Sequence, residues 1–265
     1  MPQVAGLHYE THGPADGEPL ILSAGLSGSG TYWAPNVPAL AARYRVISYD
    51  HRGTDRSERD GPPPASVEAM ADDMIALMDG LGIARAHVLG HAAGGVMGLS
   101  LALHAPERLT ALVVVNGWSK LDPHFARCFD VRLALLRDSG VDAYVRAQPI
   151  FLYPAAWISD HSAQLDAEAA HHVAHFQPVP LLEARIAALR SFDIDDRLDE
   201  IGLPVLVIAA DDDMLVPARC SHRLAAGIPN ATLASMPWGG HACNVTKSDD
   251  FDRLVLDWLA DQERS

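Results

Sequence analysis

The stretch AHVLGHAAGG, residues 86–95, decides the fold of this chain. A short apolar run at 86–89 leads into a sharp turn at 90–94, and apolar residues at helical spacing follow at 96–104. The turn matches the pattern G-x-S-x-G, in which a strand-to-helix turn holds its central residue at the tip. Here the central residue is Ala92 instead of serine. Taken alone, the pentapeptide is equally well explained as a tight turn of small residues with no catalytic role.

Apolar runs bounded by turn residues recur along the chain and alternate with helix-like segments. The predicted buried strands are 20–24, 44–49, 86–89, 112–115 and 205–209, with a last strand at 232–236 and an edge strand at 4–9. The predicted helices are 67–81, 96–104 and 249–259. This alternation predicts an α/β fold with a mostly parallel central sheet and helices on both faces.

The alternation stops between about residues 119 and 190. This segment has no strand-like run and is rich in Ala, Leu, His and aromatic residues, whereas the strand pattern resumes at Leu203. We therefore predict a helical cap insertion at 119–190, carried on a core formed by 1–118 and 191–265. A chain of 265 residues is long enough for one such domain with an insertion.

The composition excludes several classes of partner. With 20 Lys and Arg against 34 Asp and Glu, the net charge is −14, so nothing would neutralise a row of phosphates or an anionic membrane surface. We expect no nucleic-acid or membrane partner. Three widely spaced cysteines, the absence of a signal-peptide pattern and the absence of a 20-residue apolar run predict a cytoplasmic protein with free thiols.

An acidic residue and a histidine follow the turn in an informative order. Asp213 comes directly after the predicted strand 205–209, at the edge of the sheet where doubly wound folds bind ligands. His241 lies in the glycine-rich sequence WGGHACNV after the next strand. A carboxylate that fixes the tautomer of a histidine makes that histidine a general base. We therefore predict Asp213 and His241 as catalytic residues.

The loop after the first core strand, SAGLSGS at 23–29, is a candidate oxyanion hole. Glycine at position 25 lets the backbone approach a developing negative charge, so the expected donors are the N–H groups of Leu26 and Ala93. These are backbone groups and do not depend on the residue at position 92. The later sequence DHRGTDRS at 50–57 predicts a structural turn, in which Arg52 ties loops together.

Together, these elements resemble the α/β-hydrolases, which place the elbow, the acid and the histidine in this chain order. Within that superfamily the chain is similar to the pyrimidine-utilisation protein D family of the bacterial uracil-degrading Rut pathway, over nearly its whole length. The resemblance rests on GHAAG at 90–94, NGW at 116–118, RCF at 127–129, QP at 148–149, FLYP at 151–154, AHFQ at 174–177 and GGHACNVT at 239–246. It implies a hydrolase of carbamate, or of 3-aminoacrylate, in pyrimidine catabolism, and this family also carries alanine at the elbow.

Alanine cannot attack a carbonyl, so an acyl-enzyme at position 92 is excluded. The remaining route is attack by water, with His241 as general base and the oxyanion hole binding the substrate oxygen. Such a site suits only a labile C–N substrate, because binding and an oxyanion hole alone give about 10³–10⁴-fold acceleration. Two alternatives stay open: a catalytically inactive binding protein of this fold, and an engineered Ser-to-Ala variant of a serine esterase.

The substrate contacts are less constrained by the sequence. We expect Gly25 and Trp118 near the substrate, and His175 in a helical segment of the insertion with helically spaced histidines. A small anionic substrate favours one cationic contact, for which Arg127, Arg132 and Lys120 are the candidates. No nucleotide-binding pattern is present. The i, i+4 histidines His171 and His175 could bind a metal, but no carboxylate or further ligand accompanies them, so we expect no cofactor and no metal. A homodimer is the assembly we expect, since exposed faces of a cap can pair.

Overall fold

The computed structural model describes residues 2–264 and shows one sheet of eight strands in the order β1-β2-β4-β3-β5-β6-β7-β8. The strands are β1 Gln3–Val4, β2 Leu7–His12, β3 Pro19–Ser23, β4 Arg45–Tyr49, β5 Ala86–His91, β6 Leu109–Val115, β7 Val205–Ala210 and β8 Ala231–Met236. β1 pairs antiparallel with β2, β2 pairs antiparallel with β4, and the remaining pairs are parallel. The prediction of a mostly parallel α/β sheet is confirmed.

Helices cover both faces of the sheet. They are α1 Val37–Leu40, α2 Val67–Gly80, α3 Ala93–His104, α4 Pro123–Ala134, α5 Gly140–Leu152, α6 Ala155–Asp160, α7 Ser162–Ala174, α8 Val179–Ser191, α9 Ala218–Gly227, α10 Cys243–Thr246 and α11 Ser248–Gln262. Short 3₁₀ helices lie at Gly30–Trp33, Pro106–Arg108 and Asp195–Glu200, and a π-helical turn at Leu135–Ser139 joins α4 to α5. No helix within residues 2–264 is long and apolar enough to cross a membrane.

The core has two apolar layers, one on each face of the sheet. α2, α3 and the helices of the 119–190 segment pack on one face, and α1 and α11 pack on the other. All six residues of β5 and all six of β7 are buried, as expected for strands covered on both sides. Because β3, β5, β6 and β7 run parallel, their carboxyl ends meet at one edge, and the loop after Ser23, Ala92 and Asp213 follow the ends of β3, β5 and β7 there.

One predicted strand is wrong in its extent. The run 4–9 forms two short strands, β1 and β2, because Ala5 and Gly6 adopt φ values of +50° and +78° and turn the chain between them. The turn brings β2 back antiparallel to β1 and into register with β4. A left-handed pair of residues inside an apolar run gives no periodicity signal, so the prediction merged the two strands.

The segment 119–190 contains α4 to α7 and most of α8, and it contributes no strand to the sheet in the described part of the chain. Its ends lie side by side, since Ile194 N donates a 2.9 Å hydrogen bond to the carbonyl of Ser119. The chain therefore leaves the sheet after β6 and returns to it before β7 at the same place. This segment is named the helical insertion below.

Candidate active site

A single residue, Ala92, separates β5 from α3, and its backbone is strained at φ 48° and ψ −109°. Glycine is required on both sides of it. A Cβ added at Gly90 would lie 2.4 Å from the carbonyl carbon of Gly94, and one added at Gly94 would lie 2.2 Å from the carbonyl oxygen of Ser23. Such backbone strain costs about 1–3 kcal/mol and is concentrated at functional sites. The chain keeps the elbow geometry although its tip carries only a methyl group.

His241 and Asp213 are in direct contact. His241 Nδ1 donates a 2.7 Å hydrogen bond to Asp213 Oδ2, and both side chains are buried. Asp213 Oδ1 accepts from the backbone N–H groups of Leu215 and Val216 at 2.7 and 2.9 Å. Because an ionised carboxylate only accepts hydrogen bonds, it places the proton of the imidazole on Nδ1 and leaves Nε2 free to accept a proton.

Two side chains that the sequence reasoning did not single out hold the His241 backbone beside the elbow. The carbonyl oxygen of His241 accepts from Asn116 Nδ2 and from His91 Nε2, both at 2.8 Å. Asn116 Oδ1 in turn accepts from Ala210 N at 2.8 Å, so this residue joins the ends of β6 and β7 to the histidine loop. Burial, with a smaller contribution from His241, lowers the pKa of His91 well below its usual value. His91 is therefore neutral, and its Nε2–H donates to the carbonyl.

Both residues carried a weak signal in the sequence. Asn116 is a polar residue directly after a buried strand and next to the elbow strand, which is where site residues collect in parallel sheets. His91 is the x of the G-x-S-x-G pattern, a position the pattern leaves undefined. Asp212 has a similar supporting role, since its Oδ1 accepts from Gly240 N at 2.8 Å and shapes the loop that carries His241.

The two expected oxyanion donors are both available. Within residues 2–264, neither Leu26 N nor Ala93 N donates a hydrogen bond to a protein acceptor. In contrast, Ala92 N donates a 2.8 Å hydrogen bond to the carbonyl of Val115. Gly25 packs against the elbow, because a Cβ there would lie 3.0 Å from His91 Nδ1. The loop therefore approaches the elbow at Gly25, and the N–H groups of Leu26 and Ala93 have no acceptor within residues 2–264.

Cys243 is two residues from His241 but is not a reactive thiol. Burial raises its pKa to about 12, with a further contribution from the Asp213 charge. A thiol with that pKa stays protonated at neutral pH and is a poor nucleophile. Among residues 2–264, no group of three or more His, Cys, Asp or Glu is placed to hold a metal ion.

The residues predicted to contact the substrate differ in their burial. Trp118 is buried and packs against Phe125 with the ring centres 4.4 Å apart and the ring planes tilted by 57°. Its indole N–H has no partner among the described residues. Arg127 is exposed and donates to the carbonyl of Pro123 at 2.8 Å, one turn earlier in its own helix. His175 is also exposed and bonds back to the carbonyl of His171 at 3.0 Å. Arg127 and His175 are therefore exposed, and within residues 2–264 neither is hydrogen-bonded to His241 or Asp213.

Among the three candidate cations, Arg132 differs from the other two. Lys120 is paired with Asp195 at 2.6 Å, and Arg127 is exposed. Arg132 is buried and donates to two neutral acceptors, Gln148 Oε1 and Tyr144 Oη. Its Nε has no partner, and no carboxylate lies within 4.0 Å of it among the residues that the structure describes. An arginine buried without an acidic partner is costly unless an anion binds beside it.

Arg132 lies among three aromatic side chains of the helical insertion. Its guanidinium carbon is 5.6–5.8 Å from the ring centres of Phe129, Tyr144 and Phe151. The residue after Phe151 is Leu152, whose carbonyl accepts a 3.0 Å hydrogen bond from Ala242 N. The segment directly after Phe151 thus contacts the loop that carries His241.

Comparison with known proteins assigns the chain to a family. A model of the alpha/beta hydrolase fold family matches residues 18–139. A protein of Caulobacter sp. named "Putative carbamate hydrolase RutD" is 58% identical over 97% of both chains. An enol-lactonase from Burkholderia xenovorans superposes with a TM-score of 0.87 at 27% identity, covering 97% of this chain and 98% of that one. A hydrolase from Pseudomonas aeruginosa gives a TM-score of 0.84 at 30% identity, covering 96% and 94%.

Proposed function

Because this chain belongs to the RutD family of α/β-hydrolases, we propose that it hydrolyses carbamate in pyrimidine catabolism without a side-chain nucleophile. The observation that carries the proposal is the buried 2.7 Å contact between His241 and Asp213 beside an elbow whose tip is Ala92. A general base is present and oriented, and the group that would normally be activated by it is missing. Water is the nucleophile that fits this arrangement.

In the proposed reaction, water adds to the carbamate carbon while His241 Nε2 takes its proton. The C–N bond then breaks and the same imidazole returns the proton to the departing nitrogen, so that H₂N–COO⁻ and H₂O give NH₃ and HCO₃⁻. Asp213 keeps the imidazole in the required tautomer and stabilises its charged form. The N–H groups of Leu26 and Ala93 hold the oxygen on which negative charge increases.

Carbamate is an anion, and its carbon is a poor electrophile until that charge is balanced. Arg132 is our proposed partner for the charge, since it is buried, has a free Nε and has no acidic neighbour among residues 2–264. A guanidinium binds a carboxylate with paired hydrogen bonds that an ammonium cannot reproduce. We propose that the helical insertion acts as a cap that presents Arg132 and excludes bulk water from the site.

The test uses freshly dissolved ammonium carbamate and follows ammonia release against the spontaneous reaction. The wild type is expected to accelerate the reaction by about 10³-fold, equivalent to about 4 kcal/mol of barrier lowering. His241→Ala is expected to lower the wild-type rate by about 10-fold or more, because general acid–base catalysis by the imidazole is lost while binding and the oxyanion hole remain. His222→Ala, a change at an exposed histidine on α9, is the matched control and keeps full activity. A wild-type rate equal to the spontaneous one contradicts the proposal.

Ala92 itself favours a second candidate, a non-catalytic small-molecule binding protein. That candidate predicts saturable carbamate binding without turnover, unchanged by His241→Ala. The variant Ala92→Ser distinguishes these two candidate functions from a third, a serine esterase that was inactivated by a Ser-to-Ala substitution. If the serine variant hydrolyses p-nitrophenyl acetate with burst kinetics at a high rate, the site was built for an acyl-enzyme. If the serine variant gains little esterase activity, the result supports alanine as the natural residue at the elbow.

A further inference from the structure

A cleft of about 590 Å³ lies between the core and the helical insertion, away from the catalytic pair. The loop 60–65 and the first turns of α2 form one wall, and α8 forms the other. The lining does not include His241, Asp213 or Ala92. This volume is in the range of sites that take small organic molecules.

Arg185 forms part of the cleft and is almost completely buried, with 2% of its surface exposed. Its guanidinium donates to three neutral oxygens, those of Thr54 Oγ1, Gln177 Oε1 and the Arg52 carbonyl. Burial lowers its pKa to about 10, which still leaves it charged at neutral pH. No carboxylate lies within 4.0 Å of it in the described part of the chain. Its charge is therefore buried without an ionic partner.

The acidic residue near Arg185 is already engaged. Asp73 lines the same cleft but accepts from Arg52 Nε and Nη2 at 2.9 and 2.6 Å. Asp60 is at the mouth of the cleft and is exposed, so solvent screens its charge. Apart from Asp60, the cleft thus carries two guanidinium groups, those of Arg185 and Arg52, and the carboxylate of Asp73.

A second polar group in the wall also lacks a partner. His51 is buried, and its Nε2 lies 3.3 Å from Ser23 Oγ, whereas its Nδ1 makes no hydrogen bond within residues 2–264. Burial lowers its pKa to about 3, so the ring is neutral. The remaining wall is apolar and includes Pro63, Ala69 and Met97. This apolar surface surrounds the guanidinium of Arg185, which has no ionic partner. It therefore fits a ligand that has one negatively charged group and an apolar body.

We propose that this cleft is a second binding site, separate from the His241–Asp213 pair, for a small organic monocarboxylate with a planar apolar body. The carboxylate would pair with Arg185, and the body would lie against the proline loop and Met97. Asp60 and Asp73 disfavour a dianion such as phosphate, and the apolar wall disfavours a small inorganic anion. The proposal is independent of the reaction that the catalytic pair performs.

The test measures benzoate binding to the full-length protein by isothermal titration calorimetry, with benzamide as the neutral ligand of equal shape. Benzoate is expected to bind at least 10-fold tighter than benzamide, and Arg185→Met is expected to remove that difference. Equal affinity of the two ligands for the wild type overturns the proposal.

Arg185 also ties α8 to the loop at 52–54, so a second variant keeps the test independent of folding. Ala69→Trp, at an exposed residue of the cleft wall, is expected to weaken benzoate at least 10-fold with no change in melting temperature or carbamate turnover. Ala187→Trp, at an exposed position of α8 outside the cleft, is the matched control and leaves binding intact. Loss of benzoate binding in His241→Ala or Arg132→Met, with retention in Ala69→Trp, would place the ligand in the catalytic site and contradict the proposal.

Discussion

At the scale of single residues, Asp213 performs two tasks with one carboxylate. One oxygen orients His241 and the other accepts two backbone N–H groups from its own loop. Asp213→Asn leaves only one oxygen acceptor for these three donors. Either the hydrogen bond that fixes the His241 tautomer or the hydrogen bonds from Leu215 N and Val216 N that hold the loop are therefore lost. We expect carbamate turnover to fall by about 10-fold or more, because the imidazole no longer serves as an oriented general base.

The control for this variant is Asp211→Asn. Asp211 is exposed, lies two residues away and carries the same charge. Its substitution is expected to leave turnover unchanged, with the free energy of unfolding within about 0.5 kcal/mol of the wild type. Equal activity of the two variants would show that His241 needs no carboxylate.

The sequence predicted the Asp213–His241 contact because chain order and strand ends fix where those residues lie. It did not predict Asn116 or His91, since their task is to bind a backbone carbonyl, and carbonyl partners leave no pattern in a sequence. It also left the choice among Arg127, Arg132 and Lys120 open. Only the fold decides the surroundings of each side chain, and hence which cation is buried without an acidic partner.

At the scale of elements, the ends of β6 and β7 and the histidine loop are joined by Asn116. Its φ of +50° is one that asparagine tolerates better than alanine. Asn116→Ala removes the acceptor of Ala210 N and one donor to His241 O, both buried. We expect the free energy of unfolding to fall by about 2–4 kcal/mol, because buried polar groups are left unpaired.

Two further variants make this prediction specific. Asn116→Asp keeps an acceptor for Ala210 N but offers no donor to His241 O. We therefore expect its carbamate turnover to fall although its melting temperature changes less than that of Asn116→Ala. Asn230→Ala removes one exposed hydrogen bond to Gly202 O and is expected to change neither quantity. An Asn116→Ala protein as stable and active as Asn230→Ala would contradict the role of Asn116 in positioning the loop.

The element boundaries that sequence reasoning predicted well are those marked by glycine and proline. α2 was expected at 67–81 and ends at Gly80, and α3 was expected to stop before the proline at 106 and ends at His104. The start of α3 was placed three residues late, because Ala93 and two glycines have no helical periodicity of their own. These residues are helical because the elbow and the packing against β3 and β6 hold them there.

At the scale of the whole molecule, the C-terminal helix is fastened to the N-terminal part of the chain by a buried acid. Asp252 on α11 accepts from Asn36 Nδ2 at 2.8 Å, and Asn36 also donates to the carbonyl of Asn244, three residues after His241. Burial raises the pKa of Asp252 to about 6. The folded protein therefore binds this proton more tightly than the unfolded chain, in which an aspartate has a pKa of about 3.9.

The pH dependence of stability follows from that difference. Stability contributed by protonated Asp252 is fully present below about pH 4 and is lost as the pH rises through 6, by at most about 3 kcal/mol. Asparagine resembles the protonated acid, so Asp252→Asn is expected to be more stable than the wild type at pH 8. The gain should shrink between pH 6 and pH 4, as measured by urea unfolding across that range.

A change in net charge is the competing explanation for a gain in stability at pH 8. The chain carries a charge of −14, and Asp252→Asn removes one negative charge. Asp257→Asn, at an exposed residue of the same helix, makes the same change in net charge without the burial. We expect this control to differ from the wild type by no more than about 0.5 kcal/mol at every pH. If both variants gain stability equally at pH 8, self-repulsion of the acidic surface causes the effect and the buried acid does not.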